Sequence, residues 1–239
     1  MRIGNWREDE RRASLLQRSA KEIRNYSVRT KIGGAVLACL ILCVGLLYLV
    51  ATLYKQTGSF TVSIDKVEMM KYGLTLSETE DMLYNSSHLN THINESITNM
   101  AVEDLPDNLD NIDGAHHGKD YIAYTFYLQN AGETTISYDY SVVMSNVTNG
   151  LDEAIRLRLY KDGEYETYAK TAVDGSGAEI GTKEFYSGNI MAHGRVDNFD
   201  PEEKTKFTVV IWIEGSDPDC IDWLIGGEIK LEMVMEVVH

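Results

Sequence analysis

The sequence predicts a mainly β protein: an antiparallel β-sandwich placed outside the cell, preceded by one N-terminal transmembrane helix. Three observations carry this. A run of 23 residues, "IGGAVLACLILCVGLLYLVATLY" (32–54), holds no charge. The residues after it alternate apolar and polar with period two, in short runs broken by turn residues. Charge is split between the two sides of the apolar run. Residues 1–31 carry nine Lys/Arg against four acids, a net of +5, so the other 208 residues carry −20 of the chain total of −15.

Residues 1–31 form a basic cytoplasmic segment. Their stretch "REDERRASLLQRSAKEIRNY" offers only Leu15, Leu16 and Ile23 as an apolar face, so a solvated tail is preferred over an amphipathic helix lying on the inner leaflet. As a helix, residues 32–54 would span about 34 Å, slightly more than the roughly 30 Å of a hydrocarbon core. Positive charge before the run keeps the N-terminus in the cytoplasm, and residues 55–239 then lie outside the cell. A cleaved leader is the alternative. It is disfavoured because the run exceeds the usual apolar length of about 7–15 residues and "VATLYKQTGSF" lacks a clean A-x-A site. Ala35, Cys39 and Cys43 lie on one stripe of the run, a weak helix-pairing pattern.

The exterior strands are expected in order. "SFTVSID" (59–65) alternates Phe60, Val62 and Ile64 with small polar residues. "YIAYTFYLQN" (121–130) puts Ile122, Tyr124, Phe126 and Leu128 on one face, and "ISYDYSVVMSNV" (136–147) does the same with Tyr138, Tyr140, Val142 and Met144. "AIRLRLY" (154–160) and "YETYAKTAV" (165–173) flank Asp162-Gly163, the strongest hairpin signal in the chain. "KFTVVIWIE" (206–214) and "EIKLEMVMEVV" (228–238) complete seven clear strands, with weaker ones around Phe185 and Ile190. Between 214 and 228, Asp217-Pro218 matches an N-cap and first helical residue, so a short helix over 218–225 is expected, ended by Gly226-Gly227. Cys220, the only exterior thiol, is expected to be buried and inert.

The long loop 77–120 interrupts this pattern. It is rich in Asn, Asp, Ser and His, with a short helix expected near 94–101. Loops of such length often carry binding, but a loosely ordered excursion across one end of the sandwich is an equal expectation. Asn85, Asn94 and Asn146 head N-x-S/T triplets, which mark hydrophilic loops.

No catalytic set assembles: the chain lacks H-E-x-x-H, G-x-S-x-G and phosphate-loop motifs, so the protein is not expected to be an enzyme. The candidate metal ligands are Asp107, Asp110, Asp113, His116 and His117. Carboxylate and imidazole suit zinc, but adjacent histidines in a loop converge poorly on one ion. Calcium suits the oxygen-rich exterior better, although the aspartate spacing is not that of a D-x-D-x-D-G loop. No cofactor is therefore expected, with calcium as the low-ranked exception. A metal-dependent hydrolase using 107–120 stands as the alternative function, and a sensor acting through the N-terminal tail as a third. No nucleic-acid partner is expected.

Three stretches carry a resemblance. A strand starts directly after the apolar run ("TGSFTVSID"). Later, "YTFYLQNAGETTISYDYSV" gives a strand, an Asn-x-Gly turn and a second long strand, and "FDPEEKTKFTVVIWIEG" leads into the final strands. In layout, residues 56–239 resemble the TasA and camelysin group of bacterial surface proteins. The resemblance implies an exported jelly-roll domain that works with other cell-surface or matrix proteins, itself included. It also implies fibre assembly by donating a strand, for which "SFTVSID" is the matching segment. The long basic N-terminal segment departs from that group's shorter, cleaved leader. The metalloprotease activity ascribed to camelysin finds no zinc motif here.

Overall fold

The computed structural model describes residues 10–11, 31–48, 59–92 and 96–238. The chain divides into two units, Met1–Lys55 and Gln56–His239. Within the first, α1 (Lys31–Tyr48) is long and apolar enough to cross a membrane, and its side chains are exposed throughout. Most of the basic segment, residues 49–54 of the apolar run and Asn94 fall outside the described residues.

The second unit is built from strands. In chain order they are β1 (Ser59–Ile64), β2 (Leu74–Ser77), β3 (His88–His92), β4 (Asn99–Met100), β5 (Gly114–Ala115), β6 (Tyr121–Asn130) and β7 (Ile136–Val147). They continue with β8 (Ile155–Lys161), β9 (Glu164–Ala169), β10 (Lys183–Glu184), β11 (Ile190–Phe199), β12 (Lys204–Glu214) and β13 (Ile229–Val238). One sheet runs β11-β7-β13-β1-β3. The other runs β10-β9-β8-β12-β6-β2, with β4 on the edge of β12 and β5 on the edge of β6.

The strands follow from their alternation. Phe60, Val62 and Ile64 of β1 and Leu231, Met233 and Met235 of β13 are buried, and they meet Tyr124, Phe126, Leu157, Phe207 and Val209 of the other sheet in one core. Phe60 packs edge-on to Tyr124 at 6.0 Å and Tyr140 to Phe207 at 5.2 Å, so the two sheets interlock through aromatic rings. Asp162 (φ 52°) and Gly163 (φ 90°) both take the left-handed conformation that a tight hairpin between β8 and β9 requires.

Several expectations are corrected. The sheets are mixed rather than antiparallel, because β1 pairs parallel with β13, β4 with β12 and β10 with β9. Alternation sets which face of a strand is buried, but it is silent on the direction of its partner. The loop 77–120 is largely structured. It supplies β3 to the first sheet, and β4 and β5 to the second. Its segment 102–111 forms two short 3-10 turns whose Leu105 and Leu109 cover Ala123, Val210, Tyr160 and Trp212 on the outer face of the second sheet. This cover explains why β6 is buried on both faces rather than one. In place of the helix near 94–101, the described residues give the extended β4, held by β12. The helix over 218–225 is absent too: a turn at 218–219 is followed by a single 3-10 turn at Asp222–Leu224.

One helix was not expected. α2 (Lys66–Tyr72) buries no residue and is held by its ends. The Asp65 side chain accepts from Val67 N at 2.7 Å, and Gly73 (φ 77°) closes the C-terminus. Glu68 then accepts from Val237 N at 3.1 Å, which ties α2 to the end of β13.

Candidate functional site

The five residues singled out as metal ligands all lie on or beside the covering segment, and the structure gives most of them partners in the sheets. Asp107 is exposed in a turn. Asp110 accepts from Thr208 Oγ1 at 2.9 Å and lies 3.5 Å from Lys206 Nζ. Asp113 accepts from Tyr127 O–H at 2.7 Å. Thr208 and Tyr127 project from the outer face of the second sheet, so these two aspartates fasten the cover down while Leu105 and Leu109 fill the space beneath it. Burial, followed by the Asp113 carboxylate, raises the Tyr127 phenol far above its ordinary value, so the phenol stays a donor.

The two histidines diverge. His116 Nδ1 is 2.9 Å from its neighbour Gly114 O, and its Nε2 has no hydrogen-bond partner. His117 bridges the two sheets. Its Nδ1 accepts from Ala123 N of β6 at 3.3 Å, which leaves Nε2–H to donate to Thr91 Oγ1 of β3 at 2.8 Å. Burial, with the nearby His116 and His92, lowers the His117 pKa below its ordinary value. Among the described residues, no three His, Cys, Asp or Glu side chains converge in a way that could hold a metal ion.

Asp110 also borders a shallow depression of about 370 Å³, with Glu80, Asp162, Lys204 and Lys206 around it. Lys204, Lys206, Asp110 and Asp162 around it are already engaged. Lys206 Nζ reaches the Asp110 carbonyl, Lys204 Nζ donates to Glu80 O at 2.6 Å, and Asp162 accepts from Lys206 N at 2.9 Å. A cation entering here would compete with two ammonium groups, and an anion with three carboxylates.

Sequence reasoning missed the most deeply buried ionic group. Arg156 of β8 is 2% exposed, and its Nη2 lies 2.5 Å from Asp217 Oδ2 and 2.7 Å from Glu179 Oε2. Asp217 was expected to cap a helix. Instead its other oxygen accepts from Asp219 N at 2.7 Å, so one carboxylate shapes the turn after β12 and neutralises a buried guanidinium. The available signal was an arginine at an alternating strand position with an Asp-Pro-Asp turn downstream. Cys220, in the same turn, is half-buried rather than buried and receives Asn99 Nδ2 at 3.4 Å. Close by, Glu214 is opposed by burial, but hydrogen bonds from Trp212 Nε1 (2.9 Å) and Ser216 Oγ (2.7 Å), together with the Arg156 charge, hold its carboxyl below the usual range.

No family model matches the chain, and no curated protein matches it. Among solved structures, the chain is similar to a crystal structure of a beta-glucosidase from Kluyveromyces marxianus in complex with glucose. The identity is 12% and the TM-score 0.22, over 69% of this chain and 16% of that one. A likeness of that size carries no argument about fold or activity.

The sheet edges are the remaining surfaces suited to a partner strand. Among the described residues β11 pairs only with β7, and its ladder breaks between Ile190 and Ala192 and again between Val196 and Phe199. β3, the other edge of the first sheet, is a short polar strand, "HLNTH". Bulges and short polar edges both discourage strand addition. β1, the segment matched to a donor strand, is paired on both sides, with β13 and with β3.

Proposed function

We propose that this chain is a single-pass membrane protein whose β domain, residues 55–239, works outside the cell as a structural, binding or assembly module. The supporting observation is the order of parts: a Lys/Arg-rich segment, the apolar helix α1, and a two-sheet domain whose first strand starts at Ser59, with ten residues between it and Tyr48. On this reading the N-terminus is cytoplasmic, the domain is a jelly-roll-like sandwich, and the partners are other cell-surface or matrix proteins, including copies of itself. No hydrolytic activity is expected of it, because Asp110, Asp113 and His117 are spent on holding the loop to the sheets. Assembly by strand exchange would require an incoming strand to replace β1 in both of its ladders.

A membrane-impermeant cross-linker applied to intact cells tests the reading. Adducts heavier than the monomer are expected. Recovery of isolated monomers alone would remove the assembly function. Protease added to the same cells is expected to digest the β domain and spare an N-terminal epitope.

A further inference from the structure

The connection between β12 and β13 presents a row of apolar side chains to solvent. Ile221, Trp223 and Ile225 are 60%, 75% and 76% exposed, whereas Leu224 among them is buried in the core. The display is held in place. Leu224 anchors the turn from below, Gly227 N donates to Leu224 O at 2.9 Å, and Asn149 Nδ2 donates to Ile225 O at 3.1 Å. Val173, 71% exposed, adds to the row, because its N–H donates to Asp219 Oδ2 of the same connection at 3.0 Å.

Topology fixes which end of the domain this is. β1 and β13 are parallel, with Phe60 opposite Leu231 and Ile64 opposite Met235, so both strands begin at one end. The exposed row feeds β13, and the chain enters β1 one strand over, about 4.8 Å away in the sheet. Four residues, 55–58, separate the apolar run from Ser59, and they extend at most about 14 Å. Even the ten residues after Tyr48 reach no more than about 35 Å. On the anchor reading, that reach keeps the start of β1, and the exposed row beside it, near the bilayer.

We infer that Ile221, Trp223 and Ile225 form a lipid-docking tip that inserts into the outer face of the bilayer that anchors the chain. The inference rests on the membrane-anchor reading above. Tryptophan favours the headgroup level, where its ring is buried and its N–H stays wet. Asp222, exposed between Ile221 and Trp223, keeps the tip at that depth. The exterior charge of −20 offers no attraction to anionic lipid, so contact depends on apolar burial and on the high local concentration that a short tether supplies. Docking would hold the domain upright on the surface, with the Asp162-Gly163 hairpin at the far end.

The test uses the full chain reconstituted in phosphatidylcholine vesicles. The Trp223 signal is read as the fluorescence difference between wild type and Trp223→Phe, with Trp6 and Trp212 common to both. Expected is loss of quenching by aqueous iodide and gain of quenching by lipid brominated near the headgroup, both reversed in Ile221→Ser/Ile225→Ser. Free iodide quenching in a chain that resists alkaline carbonate extraction overturns the docking tip and leaves the anchor standing. Shielding from iodide and from brominated lipid alike means that protein covers the tip, and also overturns it. Release by carbonate overturns the anchor and the tip together.

Discussion

Removing the Asp217 carboxylate should be among the most damaging single changes to this domain. Asp217→Ala leaves the Arg156 guanidinium 2% exposed, with an ion pair to Glu179, whose side chain is 35% exposed, and the Glu214 charge nearby. Breaking a buried pair from one side costs about 3–5 kcal/mol, because the surviving charge stays desolvated. The lost turn hydrogen bond from Asp219 N adds about 1 kcal/mol. Asp217→Asn keeps that acceptor and should cost about 1 kcal/mol less than alanine. Replacing both partners, as Arg156→Met/Asp217→Asn, removes the buried charge and should recover most of the loss, since apolar replacements of buried pairs are often neutral. Urea unfolding of the full chain in detergent, followed by the buried Trp212, measures each variant. With an m-value of about 2 kcal/mol/M, a loss of about 4 kcal/mol lowers the midpoint by about 2 M at constant m. A midpoint for Asp217→Ala within about 0.5 M of wild type would refute the argument, as would a double variant no more stable than the single.

Three further outcomes are expected. Gly132→Ala would place a Cβ 2.1 Å from Tyr72 O, so the backbone must shift at a cost of about 1–3 kcal/mol; Gly73→Ala meets Gly132 N at 2.4 Å and adds left-handed strain (φ 77°) of about 1–2 kcal/mol. Thermal unfolding should rank Gly73→Ala below Gly132→Ala, and both below wild type. The folded Glu214 carboxyl titrates below its ordinary 4.5, so its contribution is complete above that pH and is lost as pH falls through the folded value; Glu214→Gln should flatten the stability–pH curve below about pH 4.5. His117 titrates below 6.5 when folded, so the unfolded chain takes the proton first and stability falls as pH drops below that value. His117→Gln should remove this slope, and equal slopes in the two proteins between about pH 7.5 and pH 5.5 would count against it.

The strands with a core-facing alternation were legible in the sequence. β1, β6, β7, β12 and β13 are found within two residues of their expected bounds, since Phe60, Phe126, Val142, Phe207 and Met233 each mark a face that must leave water. Partner choice was not legible. Nothing in "SFTVSI" specifies a parallel neighbour 171 residues away, because the same alternation serves either direction. α2 escaped notice because no residue in it is buried, so no apolar period betrays it; only Asp65 and Gly73 mark its ends. The cover over the second sheet rests on Leu105 and Leu109, too few apolar positions to form a pattern.

The acidity that suggested a metal loop has a different physical use. Asp110, Asp113, Asp217, Glu78 and Glu214 each accept a hydrogen bond from a side chain of the second sheet: Thr208, Tyr127, Arg156, Tyr124 and Trp212. A carboxylate in such a pairing stabilises only while its donor stays desolvated with it, so Asp110, Asp113, Asp217 and Glu78 each fix a loop to a strand, while Glu214 pairs within β12. A cation drawn to these oxygens would have to break those bonds and leave buried hydroxyl, indole or guanidinium groups unpaired, at about 1–3 kcal/mol apiece. Ile221, Trp223 and Ile225 stand in the opposite condition. They are held in place by Leu224 and Asn149 yet bury little of their own surface, the condition expected of side chains that meet an apolar surface at that end of the domain.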